Sequence, residues 1–295
     1  MTKPQNSNET PRVILVTGLS GSGKSIALHV LEDAGFYCID NLPVTLFDAL
    51  VRDITSHPSA ARKQTAIGID ARSPGAELDQ LPATIKRLRD HGVDCEVVFL
   101  DAEDHVLIQR FSETRRRHPL TDEEHNLEQA IRLERQMLEP LLDLSRLTID
   151  TSRTTLHELR EIVRARVAER DRGEMSIMLQ SFGFKHCVPR NADFVFDVRC
   201  LPNPHWHPEL RPLTGRDPEV ASFLGNDLQV KMMLSELREF LIHWIPCFER
   251  EGRSYLTIAV GCTGGQHRSV YLIEELERFL KSQGRDVVRN HRELP

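Results

Sequence analysis

Gly18-Leu-Ser-Gly-Ser-Gly-Lys-Ser25 matches the spacing G-x-x-x-x-G-K-[ST] at every fixed position. Glycines let the backbone curl tightly enough for several N–H groups to converge on phosphate oxygens at a helix N-terminus. In such a loop Lys24 brings a point charge toward the β- and γ-phosphates, and the Ser25 hydroxyl can ligate Mg2+. Gly18, Leu19, Ser20, Gly21, Ser22, Gly23, Lys24 and Ser25 are therefore candidate nucleotide contacts, with Lys24 and Ser25 also candidate catalytic residues. A metal-holding carboxylate should follow an apolar run, and Asp101 does so after Glu96-Val-Val-Phe-Leu100. Asp70, after Thr65-Ala-Ile-Gly-Ile69 and just before Arg72, meets the same requirement, and Asp40 is a third possibility. Ser25 with Asp101 is the expected metal pair, and Asp101 joins Lys24 and Ser25 as a candidate catalytic residue.

A second loop, Gly261-Cys-Thr-Gly-Gly-Gln-His-Arg-Ser269, sets a cysteine five residues before an arginine and a serine. Phosphatases that attack with a cysteine thiolate share this arrangement, which wraps N–H groups and a guanidinium around one phosphate. Gly261 stands where those enzymes usually carry histidine, which favours a binding pocket built on Thr263, Gly264, Gly265 and Arg268. A phosphatase using Cys262 with Asp197 or Asp217 as acid stays open, as does a structural turn. Lys185, Arg199, His205 and Arg211 stand in loops that would complete a pocket. Arg115-Arg-Arg-His118 reads either as lid arginines of the kinase type, making a small-molecule kinase an alternative function, or as a solvated helix face.

These loops need strands and helices to place them. Val13–Val16 is a buried strand entering the first loop, and Ala27, Val30, Leu31 and Ala34 recur at helical spacing after it, with Gly35 closing that helix. Strand-like runs at 65–69, 96–100 and 147–149 alternate with helical patterns at 127–141 and 156–167, which predicts a doubly wound parallel α/β sheet. The polar stretch Glu169–Glu174 marks a boundary, giving a P-loop domain over 1–172 and a smaller α/β domain over 173–295. In the second part 194–198 and 256–260 read as strands, and Val230, Met233, Leu234, Leu237, Leu241 and Trp244 share one face of a long helix.

With 295 residues the chain has the length of about two domains and needs no disulfide staple. Its net charge of −6 disfavours a generally basic nucleic-acid binder. Six cysteines without a Cys-x-x-Cys pair read as reduced thiols rather than a zinc site, and Met1–Arg12 lacks an apolar core, so a cytoplasmic chain with no membrane span is expected.

The two loops, together with Phe36-Tyr-Cys-Ile-Asp-Asn-Leu-Pro43, Asp70-Ala-Arg-Ser73, Thr114–Leu120, Ser181–Lys185 and Asp197–Pro204, resemble the RapZ/YvcJ family of bacterial P-loop nucleotide-binding proteins. The resemblance implies a kinase-like first domain that binds and weakly hydrolyses ATP and GTP, with Gly18–Ser25 serving ATP and Asp70, Ala71, Arg72 and Ser73 assigned to GTP. It implies a second domain that binds glucosamine-6-phosphate through Thr263, Gly264 and Arg268, with His205 contributing; Gly265, Lys185 and Asp197 adjoin that set. It further implies a homo-oligomer, a tetramer in the family's RNase adapter, which binds a small regulatory RNA and presents it to RNase E. That RNA binding leans on a basic C-terminal tail. Here Lys281, Arg285, Arg289 and Arg292 are the candidate RNA contacts, and the chain ends Arg-Glu-Leu-Pro without a basic cluster.

Overall fold

Seven consecutive buried residues make β1 (Arg12–Gly18), a near-continuous apolar run of the kind found where a parallel strand is covered on both faces. In the computed structural model, which describes residues 10–47, 49–50, 52, 64–70, 78, 80–122, 124–170 and 175–294, β1 is the central strand of a five-stranded sheet. Its companions are β2 (Tyr37–Ile39), β3 (Gln64–Gly68), β4 (Asp94–Asp101) and β5 (Leu147–Asp150), in the order β2-β3-β1-β4-β5 with every pairing parallel. Helices α1 (Lys24–Asp33), α2 (Leu81–Asp90), α3 (Asp104–Thr114), α4 (Leu127–Asp143) and α5 (Leu156–Val163) accompany it, α5 running into a π-helical turn at Arg164–Ala168. Capping boxes start two of them: Asn126 accepts from Gln129 N–H before α4, and Thr155 from Glu158 N–H before α5.

Residues 1–169 and 170–295 are two compact units. The second contains β6 (Ser176–Gly183), β7 (Phe194–Asp197), β8 (Tyr255–Cys262) and β9 (Val287–His291), ordered β7-β8-β6-β9 and again all parallel. Its helices are α6 (Pro218–Asn226), α7 (Leu228–Arg250) and α8 (Arg268–Ser282). The buried face of α7 is Val230, Leu234, Leu237, Leu241 and Ile245. Trp244, expected on that face, is 44% exposed: the stripe advances to Ile245 because residues four apart stack on one side of a helix.

The C-terminal stretch is not a tail. Val287–His291 is the edge strand beside β6, and the cations around it are engaged within the unit. Lys281 pairs with Glu277 at 2.8 Å, Arg289 with Glu277 at 2.7 Å and with Glu274, and Arg285 with Glu249. Arg292 donates to the Cys187 carbonyl at 3.3 Å.

Candidate functional site

The first loop leaves β1 at Gly18, where φ is +133° and a Cβ would stand 2.0 Å from the Leu100 carbonyl oxygen of β4. Gly21 and Gly23 also have positive φ, +85° and +107°, and a Cβ on Gly23 would meet Leu159 at 2.6 Å. Glycine is therefore required by conformation and by space at both ends of the curl. Leu19 N–H donates to Leu100 at 3.2 Å, Ser22 N–H to Leu19 at 3.0 Å, and α1 opens on the Gly23 carbonyl, which accepts from Ile26 and Ala27.

Three consecutive loop residues are each held by a side chain from a different element. Glu134 of α4 accepts from Ser20 N–H at 2.8 Å and from the Ser20 hydroxyl at 2.7 Å. Arg110 of α3 donates to the Gly21 carbonyl at 3.0 Å. Thr151, following β5, donates to the Ser22 carbonyl at 2.9 Å. Glu134 is wholly buried and accepts a further bond from His118 Nε2 at 3.0 Å. Burial works to raise its pKa, but the His118 bond, the Lys24 ammonium and the two Ser20 donors together hold it below the ordinary carboxylate value. Sequence reasoning missed Glu134, although its spacing from Ala130, Ile131, Leu138 and Leu141 sets it on the buried side of α4.

Lys24 Nζ donates to the Gly18 and Leu19 carbonyls at 2.6 and 3.0 Å, and Ser25 is exposed in the first turn of α1. Asp101 ends β4, where its Oδ1 accepts from Arg135 at 2.9 Å and from Ala102 N–H at 2.8 Å. Arg135 also reaches Asp104 at 2.7 Å, so the carboxylate expected to face a metal is an arginine partner. Asp70 is buried just beyond β3; Ala71, Arg72 and Ser73 lie outside the described residues. Arg115, in the left-handed region at φ +51°, ends α3, and Arg116 and Arg117 follow it, exposed, outside any helix. The helix-face reading of this run is corrected: His118, at its end, points inward to Glu134.

The second loop sits where three strand ends meet. Gly183 of β6 pairs with Cys262 of β8, and Asp197 of β7 with Gly261, so the segments after each strand emerge side by side. Arg268 is buried and donates to the Arg199 and Leu201 carbonyls at 2.8 and 3.0 Å and to Thr263 Oγ1 at 3.3 Å. Its buried Nε has no hydrogen-bond partner among the described residues. Lys185 N–H donates to the Thr263 carbonyl at 3.3 Å, and its Nζ lies 3.9 Å from where a Cβ on Gly264 would be. Gly265, at φ +73°, has no room for a Cβ, which would stand 2.6 Å from Gly183 N. Arg199 grips Asp197 with both its Nε and Nη2 and lies over the Phe184 ring at 4.0 Å. The exposed His205 ring lies 6.4 Å from that of His267.

This chemistry argues against a phosphatase. Burial works to raise the Cys262 pKa, yet bonds from Ser269 and from Gly265 N–H at 3.2 Å outweigh it and bring the pKa below the ordinary thiol value. A leaving-group acid must be protonated, however, and both proposed acids are held the other way: Asp197 by Arg199, and Asp217 by the N–H and hydroxyl of Thr214. Gly261 has a packing explanation as well. A Cβ there would stand 2.4 Å from the Phe182 ring and 2.6 Å from that of Phe184, so a histidine would have to displace both rings.

Residues 12–171 match the RapZ-like N-terminal domain, and residues 175–295 match the RapZ C-terminal domain. The chain belongs to the RapZ family. Relatives in that family include a nucleotide-binding protein of Methylococcus capsulatus, 55% identical over 284 residues covering 96% of both chains. Another is a nucleotide-binding protein of Halorhodospira halophila, 51% identical over 96% of this chain and 98% of its own. Among solved structures, this RapZ family chain is similar over 52% of its length to 92% of shikimate kinase from Acinetobacter baumannii, at 20% identity and a TM-score of 0.36. An unliganded sugar kinase from Janibacter sp. HTCC2649 matches over the same shares, at 20% identity and a TM-score of 0.35. Likenesses that distant bear on neither substrate nor reaction. Among the described residues of this RapZ family chain, no helix is long and apolar enough to cross a membrane.

Proposed function

We propose that the chain binds a nucleoside triphosphate, ATP or GTP, on Gly18–Ser25, senses glucosamine-6-phosphate at Thr263–Arg268, and relays both states to a macromolecular partner. The observation that carries the reading is the first loop itself: a glycine curl with no room for a side chain at Gly18 or Gly23, clamped at Ser20, Gly21 and Ser22, opening a helix at Lys24. Relatives named nucleotide-binding proteins support it. Lys24 would exchange its two loop carbonyls for phosphate oxygens. Among the described residues no group of three His, Cys, Asp or Glu could hold a metal, so Mg2+ would rest on Ser25 and the phosphates, with Asp101 reaching it through water. Mg2+ bound there would neutralise phosphate charge. Because the Asp101 Oδ1 is already taken by Arg135, hydrolysis in this reading is weak.

At the second loop the unsatisfied Arg268 Nε and the Lys185 ammonium would meet the sugar phosphate, with Thr263, Gly264, Gly265 and His205 around it and Asp197 acting through Arg199. The resemblance extends the reading to a small regulatory RNA, RNase E and a tetramer. Any RNA contact by Lys281, Arg285 or Arg289 would compete with their ion pairs.

Calorimetric titration of MgATP, MgGTP and glucosamine-6-phosphate into the whole chain tests the proposal. Lys24→Ala should weaken nucleotide by about 10–100-fold, the value of a charge-assisted bond, and leave the sugar phosphate unaffected; Arg268→Ala should do the reverse. Unchanged nucleotide affinity in Lys24→Ala removes the first assignment, and unchanged sugar-phosphate affinity in Arg268→Ala removes the second.

A further inference from the structure

Glu134 is wholly buried and accepts three bonds, two from Ser20 and one from His118. The ring orientation of His118 is determined from its other side. Leu120 N–H donates to Nδ1 at 3.2 Å, so Nδ1 is the bare nitrogen and Nε2–H points at Glu134. The Phe111 ring, 5.1 Å away, closes over the imidazole. Arg115, Arg116 and Arg117, immediately before His118, are exposed, and the first of them has a backbone that non-glycine residues adopt only at a cost. None of the three has an ion-pair partner among the described residues. This segment thus begins at a strained residue and ends at a pin whose other end is the phosphate loop.

We infer that Glu134 is a positioning residue of the phosphate loop and that, through His118, it couples triphosphate occupancy to the order of Arg115–Arg117. The inference rests on the nucleotide reading of Gly18–Ser25. A triphosphate that draws Lys24 off the Gly18 and Leu19 carbonyls removes a positive neighbour of Glu134. A buried carboxylate tolerates that loss only by keeping its remaining donors, Ser20 and His118. Occupancy therefore tightens the bond from His118 and restrains the three arginines, whose charges are of the sign that a triphosphate attracts. Coupling of this kind is reciprocal, so cutting the link weakens nucleotide binding by the factor through which nucleotide orders the segment.

The test is limited trypsin digestion of the full chain with and without MgATP, scoring fragments cut after residues 115, 116 and 117 by mass spectrometry, beside MgATP affinity by calorimetry. Wild type should be cut at least about fivefold more slowly with MgATP, the lower range of a typical coupling. His118→Ala should lose that protection and a similar factor in affinity, and His118→Gln, which restores a donor near Nε2, should recover both. If His118→Ala does not fold, Glu134→Gln serves, since it keeps the shape and removes the charge, and it too should lose protection. MgATP binding without protection in wild type, or equal protection in wild type and His118→Ala, overturns the coupling and leaves the nucleotide site standing. Absence of MgATP binding to wild type overturns the nucleotide reading, and the coupling with it.

Discussion

Arg12 and Glu96 form an ion pair inside the first sheet, Nη2 to Oε1 at 3.2 Å, on the neighbouring strands β1 and β4, with both side chains buried. Arg12 also donates to the Val167 carbonyl at 2.8 Å, which ties the π-helical turn to the start of β1. The pair stands at the opposite end of β1 from Gly18, so its loss should affect folding and not phosphate binding. Removing one member of a buried pair strands the other charge. Arg12→Met should cost roughly 3–5 kcal/mol in urea unfolding, and Arg12→Met with Glu96→Leu should recover most of that. A double variant no more stable than the single one would mean that Arg12 acts mainly through Val167.

Gly18→Ala would force a methyl into the Leu100 carbonyl and demand a left-handed backbone from alanine. Strain and overlap together should lower stability by at least about 3 kcal/mol, with nucleotide affinity lost alongside. Gly35, also at positive φ, has nothing within 4 Å of a built Cβ. Gly35→Ala should therefore carry only the conformational part, about 1–2 kcal/mol, and leave nucleotide titration unchanged. Equal losses in the two variants would contradict the crowding at Gly18.

His291 is buried between Ser181, 2.8 Å from Nδ1, and Glu274, 3.1 Å from Nε2, with Arg289 and Arg216 also paired to that glutamate. Burial lowers its pKa from 6.5 to about 4, outweighing the help from Glu274. The unfolded chain takes up this proton below pH 6.5 while the folded chain resists it until about pH 4. The contribution of a neutral His291 is thus complete above pH 6.5 and is lost between there and pH 4, up to about 3 kcal/mol. Urea midpoints across that window should fall less steeply in His291→Gln; parallel curves would remove His291 as the titrating group.

The cysteines should separate by exposure and ionisation. Cys187 and Cys200 are exposed, whereas burial pushes Cys38 up to about 11 and Cys95 to about 12. Cys262 has a lowered pKa but is only 2% exposed. Iodoacetamide at pH 7.5, followed by peptide mass spectrometry, should label Cys187 and Cys200 first, with Cys95 and Cys262 reacting on unfolding. Prompt labelling of Cys262 in the folded chain would reopen the thiolate chemistry that Asp197 and Asp217 argue against.

Much of the architecture was legible in local pattern. Strands β1, β3 and β4 fall within two residues of the apolar runs that announce them, because a central parallel strand is apolar on both faces, and the edge strand β5 lies as near to its run at 147–149. Two other edge strands gave less signal: β2 is three residues long, and β9 is Val-Val-Arg-Asn-His, which composition alone reads as a polar tail. The arginine partner of Asp101 was hidden for a related reason. A carboxylate after an apolar strand looks the same in sequence whether it faces a metal or an arginine, and Arg135 is 34 residues away.

The sequence alone determined that two loops of phosphate-binding type follow buried strands and open helices, because that signature lies in contiguous residues and in glycine's freedom of backbone. Only the tertiary structure decided what holds those loops. Glu134 lies 114 residues from Ser20, Thr151 lies 129 from Ser22, and Arg268 reaches back 69 residues to Arg199. A buried charge is stable only beside specific donors, and which donors arrive is settled when separate helices and strands pack together. Partners that distant leave no mark in local spacing.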